Sequence, residues 1–269
     1  MNINLVLAIN AAIAAGREII SIYNDQDSDF KIEVKSDNSP LTIADKKSHC
    51  IIERMLSISN LPILSEEGKS IDYKERKQWD KLWIVDPLDG TKEFINRNGE
   101  FTVNIALIEN ELPFFGVIFV PVTGELYFGG KGFPSRKVLV ENEFSTEELI
   151  TKAEFLPLRQ PERVFTVVVS RSHMNEKTQD YLIDIINTRK EKSQLTKVEY
   201  ISRGSSLKIC LVAEGKADIY PRFGPTMEWD TAAGHAIVKF AGKQVVRADN
   251  GEELMYNKEN LLNPFFVVK

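Results

Sequence analysis

Apolar residues at helical spacing open the chain. Leu5, Ala8, Ile9, Ala12, Ala15, Ile19, Ile22 and Tyr23 share one face of a helix predicted over residues 2–24. A second helix is predicted over 43–58, after the turn-forming stretch Lys35-Ser-Asp-Asn-Ser-Pro40. The rhythm then shortens. Strands are predicted at 62–65 and 82–85. Two apolar runs, 102–108 and 114–120, are joined by Glu109-Asn110-Glu111 as in a hairpin, and a turn at 122–125 leads to a strand at 126–128. Helices followed by meandering strands predict an α+β layer with an antiparallel sheet.

Residues 130–162 are polar, with a capping-box pattern at Ser145 and Glu148. Beyond them strand and helix alternate: strands near 164–169, 198–201, 217–220 and 243–246, helices over 176–186, 206–214 and 230–240. That alternation predicts an α/β lobe. The expected organisation is an N-terminal α+β lobe over residues 1–135, a connecting segment over 136–162 and a C-terminal α/β lobe over 163–269.

Composition changes this picture in only a few respects. At 269 residues, 43% hydrophobic and 27% charged, the chain can bury a full core. A net charge of −5 supplies no broad basic field, which argues against a large nucleic acid as partner. A small anionic ligand would need metals or a local basic pocket. Cys50 and Cys210 lie in apolar, helix-like stretches and read as buried free thiols. The first helix lacks a basic leader and is interrupted by Arg17-Glu18, unlike a signal peptide. No stretch has the ~18 uninterrupted apolar residues of a membrane span. A cytoplasmic protein is expected, with peripheral attachment to the inner membrane face left open; the oligomeric state is not readable.

The chemistry concentrates in WIVDPLDGTKEF, Trp83 to Phe94, where Asp86, Asp89 and Thr91 follow an apolar strand. Carboxylates three residues apart at a strand end can converge on a hard cation such as Mg²⁺. Gly90-Thr91 can open a helix whose free N–H groups face an anion. Two further acidic groups stand at element ends: Glu66-Glu67 after a short strand, and Asp230 at the start of an Ala/Gly-rich helix. Alone, Glu66-Glu67 reads as a solvated loop, Asp230 as a helix cap and Asp86 to Asp89 as an Asx turn. Thr42 and Asp45 form a capping-box pattern of their own.

As a set, Ser65-Glu-Glu67, Asp86-Pro-Leu-Asp-Gly-Thr91 and Glu228-Trp-Asp-Thr-Ala-Ala-Gly234 resemble the three signatures of the inositol monophosphatase-like superfamily of Mg²⁺-dependent, lithium-sensitive phosphatases. The resemblance runs from about Lys35 to Gly242 and implies a layered αβαβα sugar-phosphatase-like fold of two packed lobes. It implies that Glu66, Asp86, Asp89, Asp230 and the main-chain carbonyl of Leu88 ligate two Mg²⁺ ions, with Asp86 bridging them. Asp45, partnering Thr91, would act with Thr91 and Glu66 in catalysis. Asp37 would lie near a third, weaker metal site.

Substrate choice falls to the second half. Ser170-Arg-Ser-His173, Arg203-Gly-Ser-Ser-Leu-Lys208 and Tyr220-Pro-Arg222 place cationic or hydroxyl donors at element ends in an acidic chain. Each alone reads as ordinary surface. Together they resemble the 3'(2'),5'-bisphosphate nucleotidase branch, which implies a small phosphate ester, adenosine 3',5'-bisphosphate, bound through Gly90, Thr91, His173, Ser205, Lys208, Arg222 and Asp230. Glu228, beside Trp229, resembles the sugar-binding acid of inositol phosphatases at shifted spacing. An inositol monophosphatase, a sugar-bisphosphate phosphatase and a non-catalytic nucleotide or metal sensor are the alternatives.

Overall fold

The first apolar stripe forms α1 (Ile3–Asn24), capped by the Asn2 side chain, in the computed structural model of the protein. It describes residues 2–25, 30–35, 40–141, 145–159, 164–170, 175–191 and 197–269. Leu5, Ile9 and Ile19 are buried on one face of α1, each stabilising the fold by about 1.5–3 kcal/mol. By length and composition alone α1 is apolar enough to cross a membrane, but half of its most apolar window is buried inside the molecule.

A hairpin of β1 (Glu33–Val34) and β2 (Pro40–Leu41) leads to α2 (Ile43–Leu56), which ends earlier than expected because a 3₁₀ turn, Ser57–Ser59, takes over. Cys50, expected inside, is exposed: the buried stripe of α2 runs through Ala44, Ser48, Ile52 and Leu56, and position 50 faces away from it. Cys210 is buried as expected.

Seven strands then form one sheet in chain order: β3 (Ile63–Ser65), β4 (Lys81–Asp89), β5 (Thr102–Glu109), β6 (Leu112–Val120), β7 (Glu125–Gly130), β8 (Phe133–Leu139) and β9 (Glu154–Phe155). Only β3 and β4 run parallel; the rest is the antiparallel meander the sequence predicts. Three short helices were not all anticipated: α3 (Tyr73–Arg76), α4 (Thr91–Ile95) and α5 (Thr146–Lys152), the last built on the expected Ser145 capping box. The β5–β6 turn is tighter than expected, because Asn110 and Glu111 both adopt the left-handed conformation of a two-residue hairpin. Within 136–162, expected to connect lobes, part of β8 and all of β9 belong to this sheet, with α5 between them.

The second half builds a smaller sheet. Its β10 (Phe165–Ser170) and β11 (Val198–Arg203) are parallel, joined through α6 (Glu176–Glu191). Past α7 (Leu207–Ala213) come β12 (Tyr220–Arg222), α8 (Glu228–Phe240), β13 (Val245–Arg247) and β14 (Phe266–Val268), with β14 between β12 and β13. A bridge between Val167 and Ile219 joins the two strand groups. The strand β14 was not anticipated; three residues are too few to show a period.

The layers follow from which faces are apolar. Trp83 and Val85 face α1 and α2, whereas Leu82 and Ile84 face α7 and α8, so β4 is buried on both sides. The small sheet covers the far side of α7 and α8 with Tyr220, Val245 and Phe266, and α6 covers its outer face through Leu182. The result is the expected αβαβα stack.

The central helix α8 is narrow because two sheets sandwich it. Its Ala232, Ala233 and Ala236 are buried, and Gly116 on β6 meets it so closely that a Cβ there would stand 2.3 Å from the Ala233 carbonyl oxygen. Since α8 carries Asp230 in its first turn, this contact also sets that side chain's depth. Gly116→Ala is expected to lower stability by about 1–3 kcal/mol through overpacking, read as a fall in the denaturation midpoint; an unchanged midpoint would refute the close approach.

Candidate active site

The strand β4 does not stop at Val85, as its sequence suggests, but continues to Asp89 through a bulge. Asp86 pairs with Asn104 and Asp89 with Thr102, so β4 spans three residue steps where β5 spans two. Such bulges re-aim side chains next to functional sites. Pro87 has no N–H to lose here, and its carbonyl accepts from Ser48 Oγ of α2 at 2.7 Å. The expected Asx turn is present as well: Leu88 N donates to Asp86 Oδ1 at 3.0 Å. Gly90 then adopts φ 93°, open to glycine alone, and a Cβ there would press on the Glu100 carbonyl oxygen and on Ser205 Cβ. That turn starts α4 and aims Thr91 back toward Asp45.

Asp45 holds both roles the sequence left open. Its Oδ2 accepts from Thr42 N at 2.7 Å and Thr42 Oγ1 at 2.6 Å, closing the capping box of α2, while Oδ1 accepts from Thr91 Oγ1 at 3.1 Å. Burial raises its pKa, against the pull of the Thr42 and Thr91 hydrogen bonds. Asp230 is likewise a first-turn residue whose Oδ2 accepts from Met227 N at 2.8 Å. It caps α8 and faces the other carboxylates.

Three acids from three elements converge. One carboxylate oxygen each of Glu66, Asp86 and Asp230 lies within 4.8 Å of the others. Burial first, then Glu66, Asp89 and Asp230, push Asp86 well above the ordinary carboxylate range. Burial, then Asp89 and Glu66, push Asp230 up to about 8. Glu66 is raised by burial too, although Lys35 pulls it down. Oxygen-only donors that repel one another fit a hard divalent cation, whose charge would remove the repulsion. The Leu88 carbonyl stands in the same turn and accepts weakly from Thr91 Oγ1, at 3.4 Å.

Other parts were not legible in the sequence. Lys35 Nζ pairs with Glu66 Oε1 at 2.7 Å and with Glu67; burial works against its charge, but the two glutamates outweigh it and raise its pKa. Ser206 Oγ donates to Asp89 Oδ2 at 2.7 Å and lies 3.0 Å from the Asp230 carbonyl oxygen, while Asn104 Nδ2 donates to Ser206 Oγ at 2.9 Å. Lys35 and Ser206 lie in stretches the sequence singles out, but their carboxylate partners are remote, so only the fold reveals these contacts.

Ser205, Lys208 and Arg222 line one cavity with Asp89, Gly90 and Asp230. Lys208 and Arg222 are 8% and 9% exposed. Burial lowers the Lys208 pKa to about 8, with Arg222 adding to the effect against Asp89. Lys208 Nζ donates to the Ser205 carbonyl at 2.6 Å, and Arg222 Nη2 to the Pro225 carbonyl at 3.0 Å. Arg222 Nε has no hydrogen-bond partner among the described residues. Asp37 and His173 lie outside the described residues. Glu228 does not reach this cavity: it is fully buried and accepts from Asn257 N and Lys258 N, so the likeness to a sugar-binding acid is not supported.

Residues 4–264 match the inositol monophosphatase family. The chain belongs to that family. It is 42% identical over 257 residues to the 3'(2'),5'-bisphosphate nucleotidase CysQ of Escherichia coli (strain K12), covering 94% of each chain. The Buchnera aphidicola protein of the same name is 43% identical over 236 residues, 87% of this chain and 80% of that one. The crystal structure of CysQ from Bacteroides thetaiotaomicron superposes with a TM-score of 0.88 at 54% identity, covering 99% of this chain and 96% of that chain. The suhB protein of Bartonella henselae, at 23% identity and a TM-score of 0.72, shares the fold. As a member of the inositol monophosphatase family the chain is a phosphatase, and metal dependence, generally on Mg²⁺, is common to the family.

The electrostatics predict how the protein responds to metal and pH. Folded carboxylates with raised pKa keep protons that the unfolded chain releases near pH 4. Without metal, stability contributed by Glu66, Asp86 and Asp230 therefore falls as pH rises from that range to about 8, where Asp230 ionises. Mg²⁺ needs the ionised forms, so its stabilising effect grows over the same window. The rise in melting temperature on adding Mg²⁺ is expected to be larger at pH 8 than at pH 5; an equal or smaller rise at pH 8 would contradict the cluster.

Proposed function

We propose that the protein is a cytoplasmic Mg²⁺-dependent 3'(2'),5'-bisphosphate nucleotidase, adding water to adenosine 3',5'-bisphosphate to give AMP and phosphate. The observation that carries the substrate class is the buried pair Lys208 and Arg222, which opens on the same cavity as Asp89 and Asp230. Two cations sunk beside an acidic cluster suit a substrate with a second phosphate, held by charge-assisted hydrogen bonds. An inositol monophosphate has no such group to offer. Relatives named as this nucleotidase, at 42% identity over 94% of the chain, support the same reading.

In this reading Glu66, Asp86, Asp89, Asp230 and the Leu88 carbonyl would hold two Mg²⁺ ions. When bound, the ions would supply charge stabilisation for the phosphate oxygens and a water of lowered pKa. The protein's own groups do the rest. Asp45 Oδ1 holds the Thr91 proton, which leaves the Thr91 oxygen free to accept from the attacking water. As that water attacks phosphorus, its proton passes to Thr91 and the Thr91 proton to Asp45, whose raised pKa suits a base. The P–O bond to the 3' carbon breaks on the opposite side, and the leaving oxygen takes a proton from solvent. The Gly90 and Thr91 N–H groups at the start of α4 would meet the phosphate oxygens. Ser205, Lys208 and Arg222 would bind the second phosphate.

Asp45→Asn and Thr91→Ala are each expected to lower kcat roughly 10²- to 10⁴-fold, with Asp86→Asn abolishing turnover while the fold survives. Measured phosphate release close to wild type in any of the three would remove that residue from the mechanism. Phosphate release from adenosine 3',5'-bisphosphate is expected to exceed that from inositol 1-phosphate and fructose 1,6-bisphosphate. Arg222→Met should raise KM for the first substrate much more than for inositol 1-phosphate. A preference for either of the other two would overturn the nucleotidase reading while leaving the metal chemistry in place.

A further inference from the structure

The stretch between β13 and β14 has no motif of its own, yet it makes some of the most buried polar contacts in the molecule. Asn257 is 4% exposed and holds a left-handed conformation, which asparagine tolerates better than most residues. Its side-chain amide and its N–H are all engaged. Its Nδ2 donates to the Arg76 carbonyl at 2.7 Å, its Oδ1 accepts from Arg76 Nη1 at 2.8 Å, and its N–H donates to Glu228 Oε2 at 2.6 Å. Arg76, also buried, reaches the Lys258 carbonyl at 3.1 Å and, through Nε, the Ile71 carbonyl at 3.1 Å. Glu228 takes a further hydrogen bond from Lys258 N at 3.0 Å and a salt bridge from Lys258 Nζ. Six positions further on, Asn263 Nδ2 donates to the Met227 carbonyl at 2.7 Å and to Thr231 Oγ1 at 3.0 Å.

One end of this clasp lies in the first turn of α8, and the other follows Glu66 in the chain. Met227, Glu228 and Thr231 flank Asp230 in the first turn of α8, and Ile71 to Arg76 follow the turn that carries Glu66. Once ionised, as a bound cation requires, these carboxylates repel one another and load the elements that carry them. A buried arginine and a buried glutamate would destabilise the fold if left unpaired, so their partners hold them in one geometry. We propose that Asn257 is a positioning residue, the hub through which Arg76 and Glu228 set the separation of Glu66 and Asp230. It acts through those neighbours and touches neither metal nor substrate. This rests on the reading of Glu66, Asp86 and Asp230 as a Mg²⁺ site. A looser clasp lets the carboxylates relax apart, and Mg²⁺ must then draw them together again, which weakens its binding.

Calorimetric titration with Mg²⁺ tests this on the wild type, Asn257→Ala, Arg76→Lys and Leu182→Ala. The last empties part of the outer α6 layer and controls for stability loss alone. Asn257→Ala and Arg76→Lys are expected to raise the Mg²⁺ Kd roughly tenfold, as changes around metal ligands do. Phosphate release by both should return toward the wild-type kcat at saturating Mg²⁺. Leu182→Ala should lower the melting temperature with an unchanged Kd. Should Asn257→Ala fail to fold, Arg76→Lys, which keeps the charge but not the fork, carries the same expectation. Wild-type binding with an unchanged Kd in the clasp variants overturns the clasp alone. A wild type that binds no Mg²⁺ overturns the metal reading and the clasp with it.

Discussion

Repulsion among buried carboxylates is the constraint around which this molecule is organised. At ~4 Å and an effective dielectric near 20, a pair of like charges is destabilised by about 4 kcal/mol. Glu66, Asp86 and Asp230 sit within 4.8 Å of one another, each on a different element and from both halves of the chain. No local preference would bring them together. The seven-stranded sheet fixes Asp86 at a bulge, the Gly116 contact seats α8, and Lys35 offsets part of the charge from the side of Glu66.

One local device recurs at this site. Asp45 and Asp230 both occupy the first turn of a helix, where free N–H groups and the positive end of the helix dipole favour a negative side chain. Each uses one oxygen to cap its helix and keeps the other for the site, so the helix itself fixes the side chain's rotamer. Capping and function are therefore compatible readings of the same residue. Ser206 extends the device across the chain: its hydroxyl lies against Asp89 from one half and the Asp230 carbonyl from the other.

Membership of the inositol monophosphatase family accounts for the chemistry that this cluster shares with its relatives. The cavity beside it is lined by two cations, Lys208 and Arg222, in a chain of net charge −5. Glu228, the first residue of α8, points instead into the protein, where it holds residues 257 and 258.

Most of the layer order was legible from apolar spacing, because α1, α2, β5, β6 and α8 carry stripes long enough to show a period. The Asp86 to Thr91 turn, Glu66 and Asp230 were legible because their residue types at element ends have few other uses in combination. Less was visible where the signal is short or the partner remote. The extension of β4 to Asp89 depends on its pairing with β5, and β14 is too brief to show alternation. Cys50 reads as apolar from its neighbours but faces away from the stripe of its helix. The sequence by itself singled out the candidate groups for the chemistry, since hard oxygen donors and a helix-opening Gly-Thr are properties of residue type and spacing. Only the tertiary structure decided which of them meet, how far apart they stand and what holds them there, as in Lys35 on Glu66, Ser206 on Asp89 and Asn257 on Glu228. Those contacts join residues 29 to 117 positions apart, and hydrogen bonds over such separations follow from packing rather than from any local pattern.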